Sequence, residues 1–338
     1  MTYPYSADKM YICEFSLTRQ FKLKGILSMA NKKRIIGPIL LISAAMIWGL
    51  SFVAQKQGME YVDGFTFNGI RSLLGGIVLL PIIIFRSIKN KDSVKLSPAE
   101  KKSNRKDVIK GIIIVGTMLC IGSNLQQFAF DYIEPGKVGF ITALYMLLVP
   151  LISFIIYKKK QPVTTWLGVF LGVGGLYMIC MGGSSSFGLG KGEILALLCS
   201  IAFALHIIVI DKYASKIDAI VLSCGQYMVT GIVSCILMFI FEKPSMDGIM
   251  QAAVPILYAG IMSCSCAFTF QIIGQKYTEP TLASMLLCTE SVFSVIFSFI
   301  ILGERMTVVE YIGCAVMFAA IIIAQLPAKK HSETQSPE

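Results

Sequence analysis

Charge is scarce in this chain. Only 15% of its 338 residues are Asp, Glu, Lys or Arg, against about 25% in ordinary soluble domains, while 55% are hydrophobic. That balance excludes the pair of soluble domains that length alone would suggest. No segment reads G-x-x-x-x-G-K-[ST], so the chain has no phosphate-cradling loop with which to spend ATP. Histidine is limited to His206 and His331, and no H-E-x-x-H occurs, which leaves little for a metallohydrolase. The ten cysteines include no C-x-x-C pair. Most fall inside apolar stretches, where they read as small packing residues, and Cys264 and Cys266 stand two apart, facing different sides of a helix. Neither a disulfide framework nor a metal or other cofactor is implied.

What the chain does have is apolar length. Runs of about 20 residues recur, the number a helix needs to cross about 30 Å of hydrocarbon. They lie at 35–55, 64–85, 108–131, 137–157, 163–182, 192–211, 219–241, 250–274, 280–302 and 307–326. Each is about twice the length of a membrane barrel strand, and backbone groups in lipid must be satisfied within their own segment. The expectation is an all-α integral membrane protein with ten transmembrane helices, numbered here as spans 1 to 10.

Two stretches 145 residues apart share one register. Gln126, Tyr132, Glu134, Pro135 and Ser153-Phe154-Ile155-Ile156 recur as Gln271, Tyr277, Glu279, Pro280 and Ser298-Phe299-Ile300-Ile301. Val163 with Val308 and Gly168 with Gly313 extend the match. A doubled set of spans is the usual build of a transporter, and five spans per half place the second half upside down relative to the first. The expected organisation is an N-terminal segment 1–34, a first five-helix repeat 35–182, a linker 183–191, a second five-helix repeat 192–326 and a tail 327–338, the two repeats being inverted.

The formal charge of +10 invites a nucleic-acid reading, but its distribution opposes one. With both termini in the cytoplasm, 24 of the 30 Lys and Arg residues fall on the inner side and five on the outer, a positive-inside bias. The basic loop 86–110 has the charge to touch anionic membrane lipid as well. Residues 1–34 lack a signal-peptide pattern, and Met29-Ala30-Asn31-Lys32-Lys33-Arg34 reads like a start just ahead of span 1. Mass spectrometry of the native N-terminus separates Met1 from Met29.

Several segments resemble a known family. Trp48-Gly49-Leu50-Ser51-Phe52 in span 1, Phe67-Asn68-Gly69-Ile70-Arg71 in span 2, and Leu302-Gly303-Glu304-Arg305 followed by Gly313 are similar to EamA-type permeases of the drug/metabolite transporter superfamily. The likeness runs over about residues 35 to 326. It implies a carrier of the bacterial inner membrane, often an exporter of amino acids, metabolites or drugs, working by alternating access. Two departures stand out: Lys158-Lys159-Lys160 occupies the place in the first copy that Gly303-Glu304-Arg305 holds in the second, and Ala204-Leu205-His206 stands where such permeases often carry a Trp-Ala pair.

Polar residues within spans are the candidate site. Tyr145 and Glu290 are equivalent by the 145-residue offset and lie near the centres of spans 4 and 9. A carboxyl about 15 Å from either interface must be neutral, paired or wet, which suits Glu290 to exchange a proton; the competing reading is a hydrogen bond to a neighbouring helix. Arg71 sits about 10 Å below the outer end of span 2, where it either snorkels to the headgroups or, with Asn68 one turn away, meets a substrate carboxylate. Asn124 and Gln127 on span 3, and Gln271 and Gln275 on span 8, form polar stripes that either line a cavity or join helices, with Gln126 competing with Gln127 for the inward position. Trp48 and His206 lie deeper than an interfacial belt and read equally as packed rings or as substrate contacts. Pro150 lacks an N–H and clashes with the carbonyl of Met146, so span 4 is expected to kink or hinge beside Tyr145.

These features favour a secondary carrier for a small solute. An intramembrane lipid-modifying enzyme lacks a nucleophile with its base, and a non-transporting scaffold or sensor would show a closed interior without a polar cavity. A homo-oligomer is compatible with the sequence.

Overall fold

The computed structural model describes residues 35–89, 98–133, 135–158, 161–181, 190–302, 307–324 and 326. The N-terminal segment, most of the 183–191 linker, Gly303-Glu304-Arg305 and the tail beyond 326 lie outside them. The described residues form helices and no strand. In chain order these are α1 (Ile35–Gly58), α2 (Gly64–Lys89), α3 (Pro98–Ala129), α4 (Pro135–Ala143), α5 (Tyr145–Tyr157), α6 (Val163–Met181), α7 (Lys191–Ala214), α8 (Ala219–Phe241), α9 (Met246–Gln251) and α10 (Ala253–Tyr258). A π-helix, Ala259–Ala267, follows, then α11 (Phe268–Gln275), α12 (Pro280–Leu287), α13 (Glu290–Leu302) and α14 (Val308–Ala324).

Seven helical stretches are long and apolar enough to cross a membrane: Ile35–Gly58, Gly64–Lys89, Arg105–Ala129, Val138–Tyr157, Lys191–Ala214, Ala219–Phe241 and Ala253–Gln275. Of the other three expected spans, α6 and α14 are apolar helices that fill most of 163–182 and 307–326, and the segment expected at 280–302 is broken into α12 and α13. Large apolar side chains such as Phe170, Phe239, Ile240 and Ile322 face outward. Such a surface is stable only against lipid or another protein.

Close backbone contacts set how the helices pair. A Cβ placed on Gly175 of α6 would lie 2.9 Å from the Gly313 carbonyl oxygen of α14, and one on Gly168 would lie 2.7 Å from that of Ala320. Residues advance along α6 as they retreat along α14, so the two helices run antiparallel. By the 145-residue offset Gly168 corresponds to Gly313 and Gly175 to Ala320, so the contacts Gly168–Ala320 and Gly175–Gly313 are reciprocal, the pattern of a twofold contact. The helices α2 and α8 are likewise antiparallel, with Leu73 against Gly231 and Met228 against Gly76. At one end of this pair the Glu242 carboxylate accepts from the backbone N–H groups of Phe65 (2.7 Å) and Thr66 (2.8 Å) and from the Thr66 hydroxyl (2.7 Å), capping the first turn of α2.

Two departures from regular helix matter. The 137–157 segment is interrupted at Leu144 and the 280–302 segment at Cys288-Thr289, positions that correspond through the same offset. Cys288 Sγ donates to the Ala143 carbonyl at 3.4 Å, so equivalent residues meet directly at the two breaks. The break falls beside Tyr145, where a kink is expected from Pro150, but Val295, the counterpart of Pro150, follows the same break without a proline. Loosened backbone pairing is the local cause: the amides of Leu147 and Leu148 both donate to Leu144 O, and the Thr289 hydroxyl donates to Leu286 O at 2.6 Å. The second departure is the π-helix. Its 145-residue counterpart, 114–122, is ordinary α-helix within α3.

Candidate functional site

The α1 residues Trp48, Ser51, Phe52 and Gln55 recur at helical spacing and line one side of an internal cavity. Asn68 and Arg71 of α2 stand beside them, with Ser123 and Gln126 of α3. The second half contributes His206 of α7, Tyr227 of α8, Ser263 of the π-helix, Phe268 and Gln271 of α11 and Glu290 of α13. Tyr145 lies at the head of α5 and Glu290 at the head of α13, so each half sets one polar group where its broken helix resumes. The Tyr145 hydroxyl lies beside the Glu290 carboxyl. The cavity offers about 80 Å³ to the centre of a water molecule, room for several waters at about 10–15 Å³ each.

Arg71 is 7% exposed and Glu290 8%, and no ion pair joins them. Among the described residues the ion pair within 4 Å is Arg86 with Asp218, at the periphery. Arg71 instead donates through Nε (3.1 Å) and Nη2 (2.9 Å) to Asn68 Oδ1 and lies over the Phe67 ring at 5.4 Å. Asn68 is itself fixed, its Nδ2 donating to Ser123 Oγ (3.0 Å), Asn124 Oδ1 (3.0 Å) and Ser234 Oγ (3.3 Å). The Asn124 amide in turn donates to Ser234 Oγ (2.9 Å) and Cys120 O (2.8 Å). Burying a cation without a counter-charge costs several kcal/mol, so this network maintains an arrangement that packing alone would not.

One wall is aromatic. The Phe268 ring lies 4.6 Å from that of Trp48, tilted by 57°, and meets Tyr227 edge-on at 5.1 Å, with the His206 ring 6.0 Å away. His206 Nε2 bonds Gln226 Oε1 at 3.0 Å. Four lining atoms lack a protein partner although buried: Trp48 Nε1, Ser51 Oγ, Gln55 Oε1 and Gln271 Oε1. Buried polar atoms without partners are costly, and a cavity that holds several of them is equipped to bind a polar guest.

The structure thus brings Trp48, Asn68, Arg71, Tyr145, His206, Gln271 and Glu290 to one cavity. It sets three other candidates apart from the lining. Asn124 braces Asn68, Gln275 donates to the Ile207 carbonyl at 2.9 Å, and Gln127 points to the Met59 thioether while its neighbour Gln126 lines the cavity. Pro150 is buried within α5, away from the lining. Sequence reading did not single out Ser51, Gln55, Tyr227 or Phe268. The spacing of Trp48, Ser51 and Gln55 over two turns of α1 was the available signal.

Apolar helices enclosing a polar cavity define a multi-pass membrane protein of the solute-transporter class. The chain belongs to the EamA-like transporter family, which it matches twice, over residues 35–181 and 190–325. A protein of Archaeoglobus fulgidus named an uncharacterized transporter is 27% identical over 294 residues, covering 87% of each chain. YoaV of Bacillus subtilis, also named an uncharacterized transporter, is 24% identical over 84% of this chain and 94% of its own. YedA of Escherichia coli, named an uncharacterized inner membrane transporter, is 23% identical over 85% and 89%. A solved crystal structure superimposes with a TM-score of 0.70 over 86% of this chain and 97% of its own at 17% identity, a likeness of fold.

Proposed function

We propose that this membrane transporter carries a small polar or amphipathic solute by alternating access, binding it at mid-depth between two inverted halves. The observation that carries this reading is the buried cavity with residues from both halves, holding the two ionisable groups Arg71 and Glu290 and several polar atoms without protein partners. The reciprocal, antiparallel contacts of α6 with α14 support the inversion. The cavity also supports a carrier over a scaffold, whose interior has no reason to be polar.

Gln55 stands near the end of α1 and Asn68 near the beginning of α2, whereas Gln271 stands near the end of α11, so the lining spans mid-depth below the α1–α2 turn. At the opposite side the chain is closed: a Cβ on Gly37 would collide with Thr278 Oγ1 and lie 3.1 Å from the Gly274 carbonyl oxygen. In this reading the Gly37–Gly274 contact between the first and second halves parts when that side opens. Export across a bacterial inner membrane, with Glu290 carrying the coupled proton, completes the proposal.

Reconstitution into liposomes tests it. Solute-dependent proton movement is expected with the native protein and is expected to vanish in Glu290→Gln while solute exchange persists. Unchanged proton movement in that variant removes Glu290 from the coupling, and vesicles that exchange no solute at all refute the carrier reading.

A further inference from the structure

We infer that Ser223 and Gln226 line the solute's path when the closed side of the bundle opens, as the second half's counterparts of Asn68 and Arg71; this rests on the carrier reading above. The helices α2 and α8 begin 155 residues apart, at Gly64 and Ala219. That offset also relates their contacts. A Cβ on Gly76 would lie 2.8 Å from Met228 Sδ, and one on Gly231 would lie 2.8 Å from Leu73 Cδ2, so Gly76 corresponds to Gly231 and Leu73 to Met228. Reciprocal contacts of this kind mark a local twofold relation between α2 and α8. The same offset carries Asn68 onto Ser223 and Arg71 onto Gln226.

The two pairs are not in the same state. Asn68 and Arg71 line the cavity, whereas Ser223 and Gln226 are fully buried and outside the lining. Gln226 lies behind the His206 ring, its Oε1 bonded to His206 Nε2 at 3.0 Å. Its own Nε2 has no protein partner, and neither has Ser223 Oγ. Residues that only brace one helix against another would make the hydrogen bonds that these two leave unmade. Because Glu242 at the end of α8 caps the start of α2, the first turns of α8, with Ser223 and Gln226, lie toward the opposite side. On that closed side Thr278 Oγ1 meets Gly37 and, like Gln275 Oε1, lacks a partner. The fully buried Ile210, Leu222 and Ile272 pack in one apolar cluster beside them.

An unpaired buried amide or hydroxyl is costly, and that cost is returned when water or a guest reaches it. Ser223 and Gln226 therefore favour parting of the helices on the closed side. One half of an inverted pair rocks against the other around a fixed site. An exchange of roles between the halves gives Ser223 and Gln226 the places beside the solute that Asn68 and Arg71 now hold. A hydroxyl and an amide carry no charge, so the path on that side meets the solute with neutral donors and acceptors, whereas the first half presents a cation.

The test follows modification of an introduced cysteine in the full-length protein, in right-side-out and in inside-out membrane vesicles. The probe is a membrane-impermeant charged maleimide, and peptide mass spectrometry reads each site, so the native cysteines stay in place. Ser223→Cys should react from the face opposite to the one that modifies Gln55→Cys. Adding Gln226→Leu should slow the reaction at Ser223→Cys by about fivefold or more without slowing that at Gln55→Cys. If Ser223→Cys does not fold, Gln226→Cys carries the same reading, with Ser223→Ala as its companion. Thr278→Cys monitors the opening itself. Reaction at Thr278→Cys with none at Ser223→Cys, reaction at Ser223→Cys from the Gln55 face, or an unchanged rate with Gln226→Leu overturns the assignment and leaves the carrier. No reaction at either Thr278→Cys or Ser223→Cys means a side that never opens, which counts against the carrier reading as well.

Discussion

Cys288 donates its thiol to the carbonyl of Ala143, its own counterpart 145 residues earlier. The contact lies where both broken helices are interrupted, two residues before Tyr145 resumes the first helix and two before Glu290 resumes the second. The pseudo-symmetry of the chain thus passes through the point where its two halves differ most in chemistry, a phenol on one side and a carboxyl on the other.

Tyr145→Phe removes the hydroxyl beside Glu290 while keeping the packed ring. Solute transport should fall about tenfold, the scale of one lost charge-assisted hydrogen bond, with thermal stability nearly unchanged. Transport assays in liposomes and unfolding in detergent, run on the same preparation, separate these effects. Wild-type transport would show that the pair has no part in the cycle.

Asn68→Ala leaves the buried Arg71 without its acceptor. The expected loss is about 1–3 kcal/mol of stability, the usual cost of orphaning a buried polar group, read by denaturant titration. Asn68→Asp should differ: the new carboxylate pairs with Arg71 and blocks solute binding by occupying the guanidinium, while loss of the Nδ2 donor to Ser123, Asn124 and Ser234 offsets part of the stability the ion pair brings.

Gly313→Ala adds a Cβ that would sit 2.8 Å from the Gly175 carbonyl oxygen. Both helices must separate to admit it, at a cost of about 1–3 kcal/mol for overpacking. The same substitution at Gly174, where an added Cβ meets nothing within 4 Å, should be neutral or slightly stabilising. A comparison of the two melting curves checks the packing.

Glu242→Ala strips the cap from α2, with its bonds to Phe65, Thr66 and the Thr66 hydroxyl. Caps of this kind are worth about 0.5–2 kcal/mol. Hydrogen exchange localises the effect: faster exchange is expected at the amides of Phe65 and Thr66, with α6 and α14 unaffected.

Much of this was legible in the sequence because membrane helices advertise themselves by length and the duplication preserves register. Equivalence of Tyr145 with Glu290 followed from counting alone. What sequence could not fix was rotation. Gln126 and Gln127 differ by one position, about 100° around a helix, and only packing decides that Gln126 lines the cavity while Gln127 turns to Met59. Pro150 drew attention to the correct span but the wrong cause, because the break arises at Leu144 and recurs at Cys288-Thr289 without a proline.

The wide turns of 259–267 have a consequence of their own. Within them the Ser265 hydroxyl shares its one proton between the Gly75 carbonyl at 2.9 Å and the Gly260 carbonyl at 3.1 Å, while the matching stretch of α3 is ordinary α-helix. Spare length is therefore stored in one half alone. Were those turns to tighten to ordinary α-helix, Phe268 and Gln271 would swing by roughly 100° about their axis, taking an aromatic face and an amide away from the chamber together. The Ser265 hydroxyl sits where that slack is held or spent.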